Sequence, residues 1–210
     1  MTPNDNNNAQ TEGEMKIDIE NKGTGRDMAW DVLDSKYIIR RPWLTARCDT
    51  VRLPTGEVND EYYVLEYPDW VNIVAITDDG RYVMVRQYRH GIRQTCHEIV
   101  AGVCEKGEPP IVSAKRELLE ETGFSGGEWH EIMTISANTS TMNNLCHCFV
   151  ATGVRKTSGQ HLDRTEDIEV CIMSEEDVLG LLENGGMKQS LMAAPLYKWF
   201  YHKATGRKLF

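Results

Sequence analysis

The stretch AGVCEKGEPPIVSAKRELLEETGF, residues 101–124, decides how this chain is read. Gly107-Glu108-Pro109-Pro110 is a loop whose prolines suit the start of a helix. The pattern predicts that helix from about Ile111 to Thr122, with Gly123 just past its end as a C-cap. On such a helix Glu117, Glu120 and Glu121 stand at i, i+3 and i+4, on one face, with Cβ atoms about 5–6 Å apart. Like charges at that spacing cost roughly 0.2–0.5 kcal/mol per pair. Two readings follow: an acidic face turned to water, or a face held for a hard divalent cation, which takes carboxylate and phosphate oxygens.

The surroundings separate the two. Five residues lie between Gly102 and Glu108, and seven more lead to Arg116-Glu117-Leu118. One residue then precedes Glu120-Glu121, and one more precedes Gly123-Phe124. This spacing is G-x5-E-x7-R-E-U-x-E-E-x-G-U, with U aliphatic or aromatic, complete at every position. Seven fixed positions at roughly one in fifteen each give a chance match of order 10⁻⁸ per register. The chain therefore resembles the Nudix hydrolase family.

That resemblance implies an α/β (α+β) fold, a mixed β-sheet sandwiched between helices and preceded by an N-terminal β-region. It implies Mg²⁺ as cofactor, with Mn²⁺ admitted by the same oxygen ligands. Glu117 and Glu121 are then direct metal ligands, with Glu120 close to the same cluster and to the chemistry, and the Ala101 carbonyl a further ligand. Gly102 follows a strand where backbone must approach metal or phosphate closely. Glu108 and Arg116 pair to pin the loop on the helix, Gly123 ends the helix, and Leu118 and Phe124 anchor it in the core.

The likeness extends beyond the box. Arg86-Gln87-Tyr88-Arg89 and Glu98-Ile99-Val100-Ala101-Gly102 resemble the R-Q-Y-R and E-L-P-A-G pattern of the ADP-ribose pyrophosphatase branch, in an order running from Trp30 to Trp199. That branch cleaves nucleoside diphosphates linked to a sugar or a similar group. Arg89 would offer a permanent, forked cation to the diphosphate, or stand as a surface arginine at a strand end. Glu98 would reach the metal cluster or substrate, or pair with a nearby arginine. The branch often takes its catalytic base from a late loop; Glu166 is the choice here, with Asp163, Asp167 and Glu169 as rivals and a charged surface loop as the plain alternative. Trp43 is either a platform for a base or a half-buried core residue. Two departures bear on substrate: Val100 replaces the proline of the pattern, and Thr139 stands where ADP-ribose-type enzymes carry one. The run Asn138–Asn144 is a polar substrate loop or merely a turn.

The remaining sequence bounds the answer. Its 210 residues allow one domain or one domain plus an appendage. Lys plus Arg is 23 against 32 for Asp plus Glu, a net charge of −9, which disfavours a general nucleic-acid binder. No apolar run is long enough for a membrane span, and no secretory signal is read at the N-terminus. Residues 1–14 read as a disordered leader, 15–66 as an N-terminal β-region suited to dimerisation, and 67–210 as the hydrolase domain. Strands are predicted at Tyr37–Arg40, Leu44–Leu53, Glu61–Tyr67, Val71–Thr77, Arg81–Gln87, Trp129–Ile135, Cys146–Thr152 and Ile168–Met173. Val71–Thr77 and Arg81–Gln87 are expected to form a hairpin, and helices to span Ser174–Glu183 and Lys188–His202. Cys48, Cys96, Cys104, Cys146, Cys148 and Cys171 read as small buried residues in a reducing cytoplasm. His90, His97, His130, His147, His161 and His202 show no ligand spacing. The expected activity is Mg²⁺-dependent hydrolysis of a nucleoside diphosphate joined to a sugar by a cytoplasmic homodimer. Dinucleotide or triphosphate hydrolysis is a rival, as is a non-catalytic ligand sensor.

Overall fold

The computed structural model describes Gly25 and residues 27–209. The expected leader, residues 1–14, lies outside the described residues. Three strands open the described chain: β1 (Asp31–Arg41), β2 (Leu44–Arg52) and β3 (Val58–Glu66), an antiparallel sheet in that order. The first strand starts earlier than its predicted Tyr37. Its leading residues, Asp31 to Lys36, are exposed and mostly polar, so hydrophobic patterning does not mark them.

The second sheet combines β4 (Trp70–Thr77), β5 (Tyr82–Arg89), β6 (Gln94–Val103), β7 (Phe124–Ser125), β8 (Glu128–Ile135), β9 (Cys146–Lys156) and β10 (Ile168–Met173). Its order is β10-β5-β6-β4-β9-β7, with β8 paired to β9. The parallel β4–β9 pair makes the sheet mixed. Residues Val71–Ile76 are all buried, because both faces of β4 are covered; hence the continuous apolar run.

The β4–β5 hairpin differs from its expectation in an instructive way. It pairs only beside its turn, at Ala75 with Val83 and Ile76 with Tyr82. Beyond that the two strands part and β6 enters the gap. Residues 94–99 pair with β5, and residues 100–103 with β4. Gly102 therefore lies inside β6 and does not follow it. The turn signal locates the hairpin but says nothing of a third strand that arrives later in the chain.

Helix α1 (Pro110–Thr122) packs on one face of this sheet. Ala114, Leu118 and Phe124 meet Val71, Ile73, Val85 and Phe149 there. Helices α2 (Glu175–Glu183) and α3 (Ser190–Thr205) cover the other, where Val178, Leu182, Leu191 and Leu196 meet Val74, Met84, Ile99 and Val150. The alternation of strand side chains feeds both cores. Ser174 and Asp177 form the predicted capping box of α2. Gly123 ends α1 at φ 72°, and a Cβ there would also collide with the Ser158 carbonyl oxygen, so only glycine fits.

The polar run after β8 proves to be a clamp between the two sheets. Leu65 N–H donates to Thr141 O at 2.6 Å, and Asn143 N–H to Leu65 O at 3.2 Å. Tyr67 N–H donates to Asn143 Oδ1 at 3.1 Å, and Asn144 Nδ2 to Pro68 O at 3.0 Å. All six cysteines are free thiols; Cys48 and Cys171 are half-buried, where burial was expected of all six. No helix among the described residues is long and apolar enough to cross a membrane.

Candidate active site

A cleft of about 660 Å³ opens where β4 and β5 part around β6. Arg89, Glu98, Ala101, Gly102, Glu121, Glu166 and Trp43 all line it. Five elements far apart in sequence thus deliver seven of the residues singled out above. Of the late-loop carboxylates, only Glu166 reaches the cleft; Glu169 instead pairs with Arg86 across the β10–β5 ladder at 2.6 Å.

Helix α1 presents its acidic face to this cleft unevenly. Glu121 is 6% exposed, and its Oε2 has no hydrogen-bond partner. Burial, then Glu117 and Glu166, push its carboxyl up to about 8. Glu117 is raised too, chiefly by burial; it accepts from Arg116 Nη1 at 2.9 Å and from Val103 N–H at 3.3 Å. A Cβ on Gly102 would overlap the Glu117 carboxyl, so this glycine is what lets the side chain lie against β6. Glu120 is turned outward and bonded to Arg116 Nη1 at 3.1 Å. Of the three carboxylates only Glu121 lines the cleft; Glu117 and Glu120 do not.

Arg116 is the hub behind the site. It holds Glu108 at 3.1 Å and the Val103 carbonyl at 3.0 Å, besides Glu117 and Glu120. Burial works against its charge, but the bonds to Glu108 and Glu117 outweigh that and keep the guanidinium charged. Because Arg116 draws on two of the three acidic residues, no three His, Cys, Asp or Glu side chains among the described residues close on one point. The orphaned Glu121 oxygen and the Gly102 gap nevertheless suit a hard cation. A buried carboxylate without a partner is costly until a positive charge meets it.

Glu98 lines the cleft and is paired with an arginine there. Arg89 Nε donates to Glu98 Oε1 at 2.9 Å and Nη2 to Oε2 at 2.5 Å, and Gln87 Nε2 adds a bond of 3.2 Å. Glu98 is 2% exposed, so the pair is fixed, and its bonds are the main reason the Arg89 guanidinium is held charged. Trp43 sits in the β1–β2 turn with 77% of its surface free, which makes it no core residue.

Sequence reading gave no role to Asn72, Ile92 or Lys188, nor to Gln87 beyond its place in the Arg86–Arg89 pattern, yet all four line the same cleft. One signal was present: Asn72 is a lone amide inside the apolar run VNIVAIT.

Comparison with known proteins agrees with this architecture. Residues 30–65 match a model described as a nucleoside diphosphate sugar hydrolase N-terminal domain, and residues 66–194 match the NUDIX domain. The chain is 34% identical over 137 residues to an ADP-ribose pyrophosphatase of Bacillus subtilis strain 168, covering 65% of this chain and 74% of that protein. It is 33% identical over 132 residues to a methanol dehydrogenase activator of Bacillus methanolicus, covering 62% of this chain and 71% of that protein. A crystal structure of an ADP compounds hydrolase shares the fold, with a TM-score of 0.74 at 21% identity over 87% of this chain and 100% of that one. With the domain match spanning residues 66–194 of 210, and the box complete on α1, the chain belongs to the Nudix family of pyrophosphohydrolases.

Proposed function

We propose that this enzyme hydrolyses the diphosphate bond of a nucleoside diphosphate joined to a sugar, of the ADP-ribose type, with Mg²⁺. The observation that carries this reading is one shared cleft, in which Trp43 of the N-terminal sheet meets Arg89, Glu121 and Glu166 of the second sheet and its loops. The N-terminal match to a nucleoside diphosphate sugar hydrolase domain and the Bacillus subtilis relative support it.

Arg89, locked by Glu98, offers its remaining donors to diphosphate oxygens and orients them. Trp43 takes the base on its exposed ring. Glu117, Glu121 and the Ala101 carbonyl would hold the cation, with Glu120 close by on the same helix. When bound, that cation neutralises the diphosphate and lowers the pKa of a water. Glu166 accepts the proton as water oxygen attacks phosphorus. The bridging P–O bond breaks, leaving a nucleoside monophosphate and a sugar phosphate.

The active form is a homodimer built on the N-terminal sheet. Val32, Leu33, Tyr37, Ile38, Val58 and Tyr63 are exposed on it, apolar side chains that a second copy would cover. Six free thiols suit a reducing cytoplasm.

The test is a substrate panel with Mg²⁺: ADP-ribose, ADP-glucose, GDP-mannose, UDP-glucose, NADH, diadenosine polyphosphates and nucleoside triphosphates, products separated by chromatography. Monophosphate release from the diphosphate sugars is expected. Turnover confined to dinucleotides or triphosphates would overturn the sugar reading.

A further inference from the structure

Asn72 is not explained by the machinery above. Its strand neighbours from Trp70 to Ile76 are apolar, and a buried amide is unfavourable unless its polar atoms are satisfied. Asn72 is 2% exposed, and its Nδ2 donates to the Leu191 carbonyl in the first turn of α3 at 2.7 Å. That bond sets which way the amide faces. Oδ1 then accepts from no donor among the described residues. It is not sealed off either: among the described residues the buried, unpartnered side-chain atoms are Glu121 Oε2, Ser136 Oγ and Asn144 Oδ1. Since Asn72 lines the cleft, its free oxygen opens into it.

Its position fixes what it would meet. Asn72 lies opposite Ala101 in the β4–β6 ladder, about one strand spacing away. The Ala101 backbone bonds the Glu121 carboxyl, and both line the cleft with Asn72, so a group that meets Asn72 lies next to the diphosphate. The walls around it are Trp70, Leu191 and Met192, with Lys188 at the rim. An acceptor aimed from such walls calls for a donor without charge.

We propose that Asn72 is a specificity-determining residue whose Oδ1 accepts a hydrogen bond from a hydroxyl of the sugar distal to the nucleoside. This rests on the nucleotide-sugar reading above. A site that pairs with a substrate hydroxyl discriminates against an analogue lacking it, because its own polar group is then left unpaired.

The experiment compares ADP-ribose with the β-methyl ester of ADP, which has the same diphosphate but no distal sugar. Both are measured with wild type, Asn72→Leu and Asn72→Ala, alongside melting temperatures and inhibition by ribose 5-phosphate. Wild type should prefer ADP-ribose. In both variants that preference falls at least about tenfold; the loss lies on the ADP-ribose side, the ester rate stays within about threefold, and ribose 5-phosphate inhibits more weakly. A preference unchanged from wild type overturns the assignment. That holds whether both rates drop together, as a mere tether of α3 would give, or neither moves. Wild type that cleaves neither compound overturns the nucleotide-sugar reading itself, a failure distinct from loss of the contrast.

Discussion

The two walls of the cleft are built in opposite ways. The α1 wall comes from one continuous segment: a helix, its preceding loop and the end of β6 bring Gly102 and Glu121 into the cleft within twenty residues of chain, with Glu117 packed behind Gly102. The α3 wall is assembled from distant pieces, Asn72 on β4, Lys188 and Leu191 more than a hundred residues later, tied by one amide-to-carbonyl bond. The first wall carries charge and buried strain; the second carries shape and one free acceptor. On the roles proposed above, chemistry common to many substrates falls to the local wall, and choice among substrates to the assembled one.

Substitutions on the α1 side should therefore act on turnover. In Gly102→Ala the new Cβ displaces the Glu117 carboxylate, which is flexible enough to move without unfolding the chain. Activity should fall about 10²-fold, as misplacement by an ångström can cost that much, with a melting temperature near wild type. An active Gly102→Ala would break the comparison at its strongest point. Arg89→Lys loses the fork on Glu98, and kcat/KM should drop roughly 10- to 100-fold, the worth of charge-assisted bonds.

A control on the same helix separates structure from chemistry. Gly123→Ala forces a left-handed conformation costing about 1–2 kcal/mol, besides the clash with Ser158. A lower melting temperature, by roughly 2–8 °C, is expected in thermal denaturation. On the α3 side, Lys188→Met should raise KM only about threefold with kcat unchanged, since exposed charges contribute little. A large kcat effect there would erase the division between the walls.

Legibility in the sequence follows the same line. The α1 wall is readable because i, i+3 and i+4 spacing fixes geometry without knowledge of the rest of the fold. Strands β8, β9 and β10 and both later helices also follow from periodicity and capping residues. Strand β6 escaped the strand survey because QTCHEIVAGV alternates weakly and pairs with two different partners along its length. Glu98 could not be assigned from sequence, because the β5–β6 ladder sets it opposite Val85 and Arg89, opposite Gln94, reaches it only with its long side chain along the folded pair. The role of residues 138–144 as a clamp depends on β3, some seventy residues earlier.

The most direct test of the central claim concerns Glu121, whose buried oxygen has no partner. Wild type and Glu121→Gln are incubated with ADP-ribose and Mg²⁺, and AMP and ribose 5-phosphate are quantified. Wild type should release both products stoichiometrically, and the variant should lose more than about 10²-fold of that activity, since even outer-shell changes at metal sites cost 10–100-fold. A folded Glu121→Gln that releases both products at the wild-type rate would contradict the central claim.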